Sequence, residues 1–363
     1  MEDVLPRSQL PSEAIEEHTL IVAEIGQNHN GSMAFAQALV DIAAMPIIDY
    51  FTHEQLPGVD AVKLQKRDLS EELTVDAYQA PYDSPHAFGP TYGKHREALE
   101  LSYEEHRDLG QYIHEKGLLL VETLCSPRCV RLCEMVRIDY LKVASRDLTN
   151  IPLLRVLADT RIPIMLSTGM MTDWSELDVA LEEIARRHEQ ITILHSISEY
   201  PAHYENLDLG RLGRLKERYP QYRIGYSDHS IGIVAPVAAV CMGAGVIEKH
   251  ITISRRLKGS DHAGALEPDG LWRMTRDIRN MERARRPVSD AQRAAVVAPV
   301  RAKLERSLAS ARPIQPGEIL AEADLVMLSP GDGLPWRERD RLLGRKAKLP
   351  IPAHVHLKPE MFQ

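Results

Sequence analysis

Eight short apolar runs punctuate the first 285 residues of this chain, and amphipathic stretches separate most of them. The runs occupy 20–25, 59–65, 118–123, 140–143, 164–167, 191–195, 223–227 and 246–250. Buried parallel strands read as near-continuous Val, Ile and Leu runs, as these do. The stretches between them, such as 103–116, 174–187 and 231–242, carry helical patterning. Strand–helix units repeated in this way predict a (β/α)8 TIM barrel. A doubly wound open sheet is the alternative, but it usually has fewer strands.

The last two runs each end in histidine. Ile224-Gly225-Tyr226-Ser227-Asp228-His229 precedes a small apolar helix, and Val246-Ile247-Glu248-Lys249-His250 follows it. Adjacent parallel strands lie about 4.8 Å apart, so His229 and His250 can share one divalent metal. Two protein ligands leave positions open for water and substrate, as a catalytic metal requires. Buried or capping histidines are the alternative reading.

In a barrel of this kind the active site lies at the C-terminal strand ends. Those ends carry Glu24, Lys63, Gln65, Thr123, Lys142, Ser145, Asp147, Ser167, His195, Ser196, Ser198, Tyr200, Ser227 and Glu248, with Asp261 in the loop beyond. Two buried lysines among hydroxyls suit a phosphate or carboxylate, and a buried lysine without an anion is costly. Each hydroxyl alone reads equally as a strand-end cap, and each lysine as half of a structural ion pair. The combination points to a site. There is no GxGxxG after the first strand, no GxxxxGK[ST] and no GxSxG, so nucleotide binding and serine hydrolysis lack support.

Net charge is −8 with both signs mixed along the 363 residues, which argues against a nucleic-acid scaffold. No run of about 18 apolar residues predicts a membrane span. Residues 1–17 are polar and acidic and lack the basic start and apolar core of a signal peptide, so a cytoplasmic location is expected. Cys125, Cys129 and Cys133 recur every four residues, along one face of a helix, and are read as reduced thiols rather than a disulfide framework or metal site.

Three segments are expected in all: a catalytic barrel over 1–285, a linker over 286–302 and a small unit over 303–363. The last has short strands and turn signals at Pro316-Gly317-Glu318 and Pro330-Gly331-Asp332-Gly333. A unit of that size has a small core and is expected to pack on another surface. The segment 45–55 is more hydrophobic and irregular than a simple connection requires.

Several motifs together resemble the sialic acid synthase family. They are Ala23-Glu24-Ile25-Gly26-Gln27-Asn28-His29-Asn30-Gly31, Val62-Lys63-Leu64-Gln65-Lys66, Thr91-Tyr92-Gly93-Lys94-His95-Arg96, Lys142-Val143-Ala144-Ser145, Leu166-Ser167-Thr168-Gly169-Met170, Tyr226-Ser227-Asp228-His229-Ser230, Glu248-Lys249-His250-Ile251-Thr252 and Lys258-Gly259-Ser260-Asp261-His262. The tail, with Ser310-Ala311-Arg312-Pro313-Ile314 and Leu343-Gly344-Arg345-Lys346-Ala347, is similar to that family's antifreeze-like (SAF) domain.

The resemblance implies a transferase that condenses phosphoenolpyruvate with an amino sugar of the N-acetylmannosamine type. The products would be a 3-deoxy nonulosonic acid, such as N-acetylneuraminate, and phosphate. It implies a divalent metal, usually manganese, with magnesium or cobalt as substitutes, held by His229 and His250. Lys63, Thr123, Lys142, Ser145, Ser167 and Ser227 carry over to phosphoenolpyruvate binding. Gln65, Asp147, Tyr200 and Asp261 match sugar-facing positions, and Glu24 matches an acid near the reacting carbons. A domain-swapped homodimer is implied in the same way. Asp147 and Ser198 stand where some bacterial members have Glu and Asn, and Ser329 stands where many bacterial tails place an Arg that reaches the sugar.

Rival expectations remain open. One is a 9-phosphate synthase that takes the 6-phosphorylated sugar; others are legionaminate and pseudaminate synthesis. Different chemistry on the same barrel would be an aldolase with Lys142 as its Schiff-base lysine. A carbohydrate-binding protein without phosphate release is the non-enzymatic reading.

Overall fold

The computed structural model describes residues 18–363. Residues 1–17, which bear on the signal-peptide expectation, lie outside the described residues. The chain divides into two compact units, one ending at Arg285 and one spanning Arg286–Gln363.

All eight expected runs are strands of one closed barrel in the first unit. In chain order they are β1 (Leu20–Glu24), β2 (Ala61–Lys66), β3 (Leu119–Leu124), β4 (Tyr140–Val143), β5 (Ile164–Ser167), β6 (Ile191–Ser196), β7 (Arg223–Asp228) and β8 (Val246–His250). Every neighbouring pair is parallel, and β8 closes the ring on β1 with Glu24 opposite His250.

Side chains alternate across each strand. One parity points inward: Leu20, Val22, Ala61, Val121, Met165, Leu194 and Val246 form an apolar cluster inside the barrel. The other parity, with Ile21, Val62, Leu120, Leu141 and Ile193, packs against the surrounding helices in the main core. Gly225 sits on the inward parity of β7 because there is no room for more. A Cβ there would lie 2.6 Å from Leu194 Cδ2 and 2.7 Å from Val246 Cβ.

The helices follow from local signals. Ser102 and Glu105 form a capping box at the start of Tyr103–Glu115. Asp173 caps Trp174–Ala185, which buries Leu177, Ala180, Leu181 and Ile184. The apolar stretch between the two histidines becomes the helix Val234–Cys241. No helix among the described residues is long and apolar enough to cross a membrane.

Two local features differ from a plain barrel. The segment 45–55 is explained by a small hairpin, Ile47–Ile48 against Gln55–Leu56. Asp49 accepts backbone bonds from Phe51 and Thr52 in its turn, and Tyr50 packs on Trp272 with ring centroids 4.7 Å apart. The cysteine-bearing segment is a 3-10 helix, Pro127–Glu134, rather than an α-helix, and Cys125 lies before it. Cys125, Cys129 and Cys133 are free thiols, and burial pushes the Cys125 thiol up to about 12.

In the second unit, the expected linker carries the helix Asp290–Leu304, opened by a Ser289–Gln292 capping box and without buried residues. The small domain pairs β9 (Ser307–Ser310) antiparallel with β10 (Leu325–Leu328). Leu308, Ile314, Leu320, Leu342, Ala347, Ile351, Leu357 and Phe362 make its own core. Ser329 donates its hydroxyl to the Leu304 carbonyl at 3.0 Å.

Candidate active site

The inward parity that builds the barrel's apolar interior also builds the site above it. Two residues beyond Val22 is Glu24, beyond Ala61 is Lys63, beyond Val121 is Thr123, beyond Met165 is Ser167 and beyond Val246 is Glu248. Register aligns these ends: Glu24 pairs with Lys63 and His250, Thr123 with Lys142, and Ser227 with Glu248. A cavity of about 400 Å³ opens there. Its walls hold Glu24, Lys63, Gln65, Thr123, Lys142, Ser145, Ser167, Tyr200, Ser227, His229, His250 and Asp261, as the strand-end reading expected.

Asp147 departs from that expectation. It lines an adjoining cavity of about 300 Å³, where its carboxylate meets Arg146 and Asn150, each at 3.2 Å. The 3-10 turn Ser145–Asp147 sends Ser145 into the main cavity and carries Asp147 past it. His195 also leaves the site, because its parity on β6 is outward. Its ring donates to the Leu207 carbonyl at 2.7 Å in the barrel's outer core.

A buried cluster of charge occupies the cavity floor. Lys63 Nζ lies 3.0 Å from Glu24 and 3.5 Å from Glu248, and it donates to Thr123 Oγ1 at 3.4 Å. Lys142 Nζ lies 3.7 Å from the same Glu248 oxygen, which also accepts from Ser227 at 2.8 Å. Burial pushes the Glu24 carboxyl up to about 8 despite Lys63. Burial, with Lys63 adding to it, lowers the Lys142 ammonium to about 8. Burial works the same way on Glu248, but Lys142 and Lys63 outweigh it and hold that carboxyl at about 2. Two carboxylates beside the same lysines thus divide the labour: Glu248 is ionised and Glu24 carries a proton at neutral pH. One oxygen of each is buried without a partner.

The histidines stand at the rim. Their ring centroids are 5.8 Å apart, and the Tyr200 ring covers His229 at 4.0 Å. His229 Nδ1 donates to the Ile197 carbonyl at 2.7 Å, which leaves the Nε2 lone pair for a ligand. Burial lowers both imidazoles, His250 to about 4, so both are neutral and ligand-competent at pH 7. The Nδ1 of His250 is buried with no partner. Among the described residues no group of three or more His, Cys, Asp or Glu side chains converges to hold a metal. The donor set fits a divalent cation held by two imidazoles, with its other positions left to water or substrate.

Family models decide the kinship. Residues 53–289 match the NeuB family model, and residues 305–363 match the SAF domain model. The chain belongs to the NeuB family. Among its NeuB relatives is a human N-acetylneuraminate-9-phosphate synthase, 33% identical over 73% of this chain and 70% of the relative. Another is an N,N'-diacetyllegionaminic acid synthase of Legionella pneumophila, 32% identical over 93% of this chain and 92% of the relative. A solved N-acetylneuraminic acid synthetase from Leptospira borgpetersenii, crystallised with citrate, superposes with a TM-score of 0.64 at 26% identity, covering 78% of this chain and 92% of its own.

Several cavity residues of this NeuB chain were not assigned roles from sequence. Glu248 was visible at a strand end, but its place between two lysines was not. Arg67, Arg96 and Arg146 line the cavity and stand inside or beside motif positions, so adjacency to Gln65, His95 and Ser145 was the available signal. Tyr82 reaches the wall from an irregular loop and left no periodic signal.

Proposed function

We propose that this chain condenses phosphoenolpyruvate with N-acetylmannosamine or a related sugar, giving a 3-deoxy nonulosonic acid such as N-acetylneuraminate and phosphate. The observation that carries the reading is the floor of the cavity. Two buried lysines, hydroxyls and two carboxyl groups of opposite protonation face two neutral imidazoles across one space.

Lys63 and Lys142, with Thr123, Ser145, Ser167 and Ser227, bind the phosphate and carboxylate of the donor. Gln65, Tyr200 and Asp261 hold the open-chain sugar so that its aldehyde carbon meets C3 of the enol; Asp147 acts from the adjoining cavity. Holding both partners in line is the largest help the protein can give a weak carbon nucleophile. His229 and His250 would hold a divalent cation, manganese by family resemblance, which supplies Lewis-acid polarisation of the aldehyde oxygen when bound.

Glu24 enters the reaction protonated. As C3 attacks, its proton goes to the nascent alkoxide, and the carboxylate that results stabilises positive charge at C2. Water then adds at C2 and gives one proton back to the Glu24 carboxylate; the C2–O bond to phosphate breaks as the new hydroxyl becomes the 2-keto group, and its proton leaves with the phosphate. A second reading, favoured by the lowered basicity of Lys142, makes that residue a Schiff-base nucleophile; borohydride trapping with pyruvate detects it.

The catalytic species is taken to be a cytoplasmic homodimer, which light scattering of the purified protein checks. The test of function is phosphate release from phosphoenolpyruvate with manganese and N-acetylmannosamine. Acceptor-dependent release that stops on adding EDTA supports the reading. Absence of release with that sugar, its 6-phosphate and the diacetamido sugars sinks it.

A further inference from the structure

Three loops meet beside the cavity mouth in contacts that the proposed chemistry does not use. They follow β8, β1 and β2, which are neighbours in the ring. The loop after β8 carries Ser260 and Asp261 to the cavity wall, where Asp261 shares a small recess with Tyr200, His229 and His250. Among the described residues, the Asp261 side chain hydrogen-bonds only to Ser260, at 2.9 Å and within its own loop. Its place in the recess is therefore set by the backbone that carries it.

That backbone is gripped from two sides. The Gly259 N–H donates to His86 Nδ1 at 3.2 Å, which places the proton of that ring on Nε2. Asn30 Nδ2 donates to the Lys258 carbonyl at 3.0 Å. His86 comes from the loop after β2 and Asn30 from the loop after β1, 173 and 228 residues away in the chain. The fit is close. Gly259 has a φ of +143°, which L side chains rarely adopt, and a Cβ there would lie 2.7 Å from His262 Cδ2 and 3.4 Å from Asn30 Oδ1. His262 is buried between Thr252 Oγ1 at 2.7 Å and Asn30 Oδ1 at 3.3 Å. Asp261 is thus flanked on both sides by residues that are held.

The segment that presents His86 is itself built. It closes through the Tyr82 N–H to the Pro90 carbonyl at 3.1 Å and the Tyr92 N–H to the Ala80 carbonyl at 2.9 Å. The Phe88 N–H donates to His95 Nδ1 at 3.1 Å, and the cavity residue Tyr82 stacks on the His95 ring with centroids 4.5 Å apart. Lys258 Nζ lies 4.8 Å from the centre of the Phe88 ring, a second contact between the same two loops.

We propose that His86 and Asn30 are positioning residues, which clasp the loop after β8 by its backbone and hold Asp261 in the recess beside the histidines. The kinetic consequence rests on the proposed condensation. There the clasp fixes the carboxylate before the acceptor arrives, so that binding need not order it.

The test measures Michaelis constants of the full chain with manganese. They are taken for phosphoenolpyruvate and for whichever of N-acetylmannosamine, its 6-phosphate and the diacetamido sugars best drives phosphate release. His86→Ala is expected to raise the constant for the sugar about three- to tenfold, the range commanded by one neutral hydrogen bond, while that for phosphoenolpyruvate stays within about twofold. His86→Asn, whose Oδ1 can accept where Nδ1 did, should return most of the loss. Asp261→Asn already lacks the carboxylate, so adding His86→Ala to it should change the sugar constant by less than about twofold. Asn30→Asp keeps an oxygen for His262 but loses the donor to Lys258; it should raise the same constant and serves where His86→Ala does not fold. Unchanged constants, equal rises for both substrates, or full additivity with Asp261→Asn overturn the clasp. If no sugar drives release, the condensation itself fails, and amide hydrogen exchange across 258–262 decides the clasp alone. Faster exchange in His86→Ala, slowed again in His86→Asn, upholds it; unchanged exchange overturns it.

Discussion

The Lys249 ammonium and the Asp228 carboxylate meet at 2.5 Å, in register on neighbouring strands and fully buried. They lie on the outward parity of β8 and β7, directly behind His250 and His229. Lys249 also donates to the Ser230 carbonyl, and Asp228 accepts from the Ser230 hydroxyl at 3.0 Å. The pair ties together the two strand ends that present the imidazoles.

Breaking that pair leaves a buried charge uncompensated. Lys249→Met is expected to destabilise the barrel by about 3–5 kcal/mol. Urea denaturation measures it, and a loss below about 1 kcal/mol, the size of a surface pair, contradicts the assignment.

The pH dependence of stability should carry the signature of Glu24. Its carboxyl rises from 4.5 to about 8 on folding, so the folded state holds a proton that the unfolded state has released. Its contribution is fully present below 4.5 and is lost as pH rises through 8. Glu24→Gln should flatten the decline in melting temperature over that window and lower kcat by about a hundredfold or more. An unchanged pH slope would mean that Glu24 is ionised at neutral pH.

Metal binding should resist acid. His250 is lowered to about 4 by burial, so no proton competes for its ring at mildly acidic pH. Its contribution to stability, fully present above 6.5, is by contrast lost progressively as pH falls from 6.5 through 4. Manganese affinity, read by calorimetry, is expected to stay level down to about pH 5, well under the ordinary histidine midpoint of about 6.5. His250→Ala or His229→Ala should reduce it by at least about tenfold and activity by about a hundredfold. A midpoint near the ordinary histidine value would place the metal elsewhere.

The other end of the barrel has its own lock. Arg279 is buried and donates to Asp60 and the Gly58 carbonyl, each at 2.8 Å, to the Thr19 carbonyl at 2.8 Å and to Glu282 at 2.9 Å. Arg279→Met should cost about 3–5 kcal/mol in chemical denaturation while the Michaelis constant for phosphoenolpyruvate stays unchanged. A shift in that constant would tie the base of the barrel to the site.

Much of this was legible from local pattern. A strand exposes alternate residues to the same side, so once eight apolar runs are found, the residues at their ends are known. Lys63, Thr123, Ser167 and Ser227 were therefore readable, as were the two histidines. The SAF tail announced itself through turn residues. Where local pattern misled, the cause was a turn or a parity. The turn after β4 took Asp147 out of the main cavity, and outward parity took His195 into the core.

What the chain's residues determined by themselves is which groups reach the barrel mouth, because side-chain alternation needs only neighbours along the strand. Which groups meet there was decided by closure of the ring. Closure brings Glu248 of β8 within reach of Lys63 of β2 and Lys142 of β4, and so lets one carboxyl ionise while Glu24 stays protonated. Return of the loops brings Glu72 between Arg67 and Arg146. Contacts of this kind join residues far apart in the chain, and the electrostatics that follow from them depend on burial that exists only once the barrel is complete.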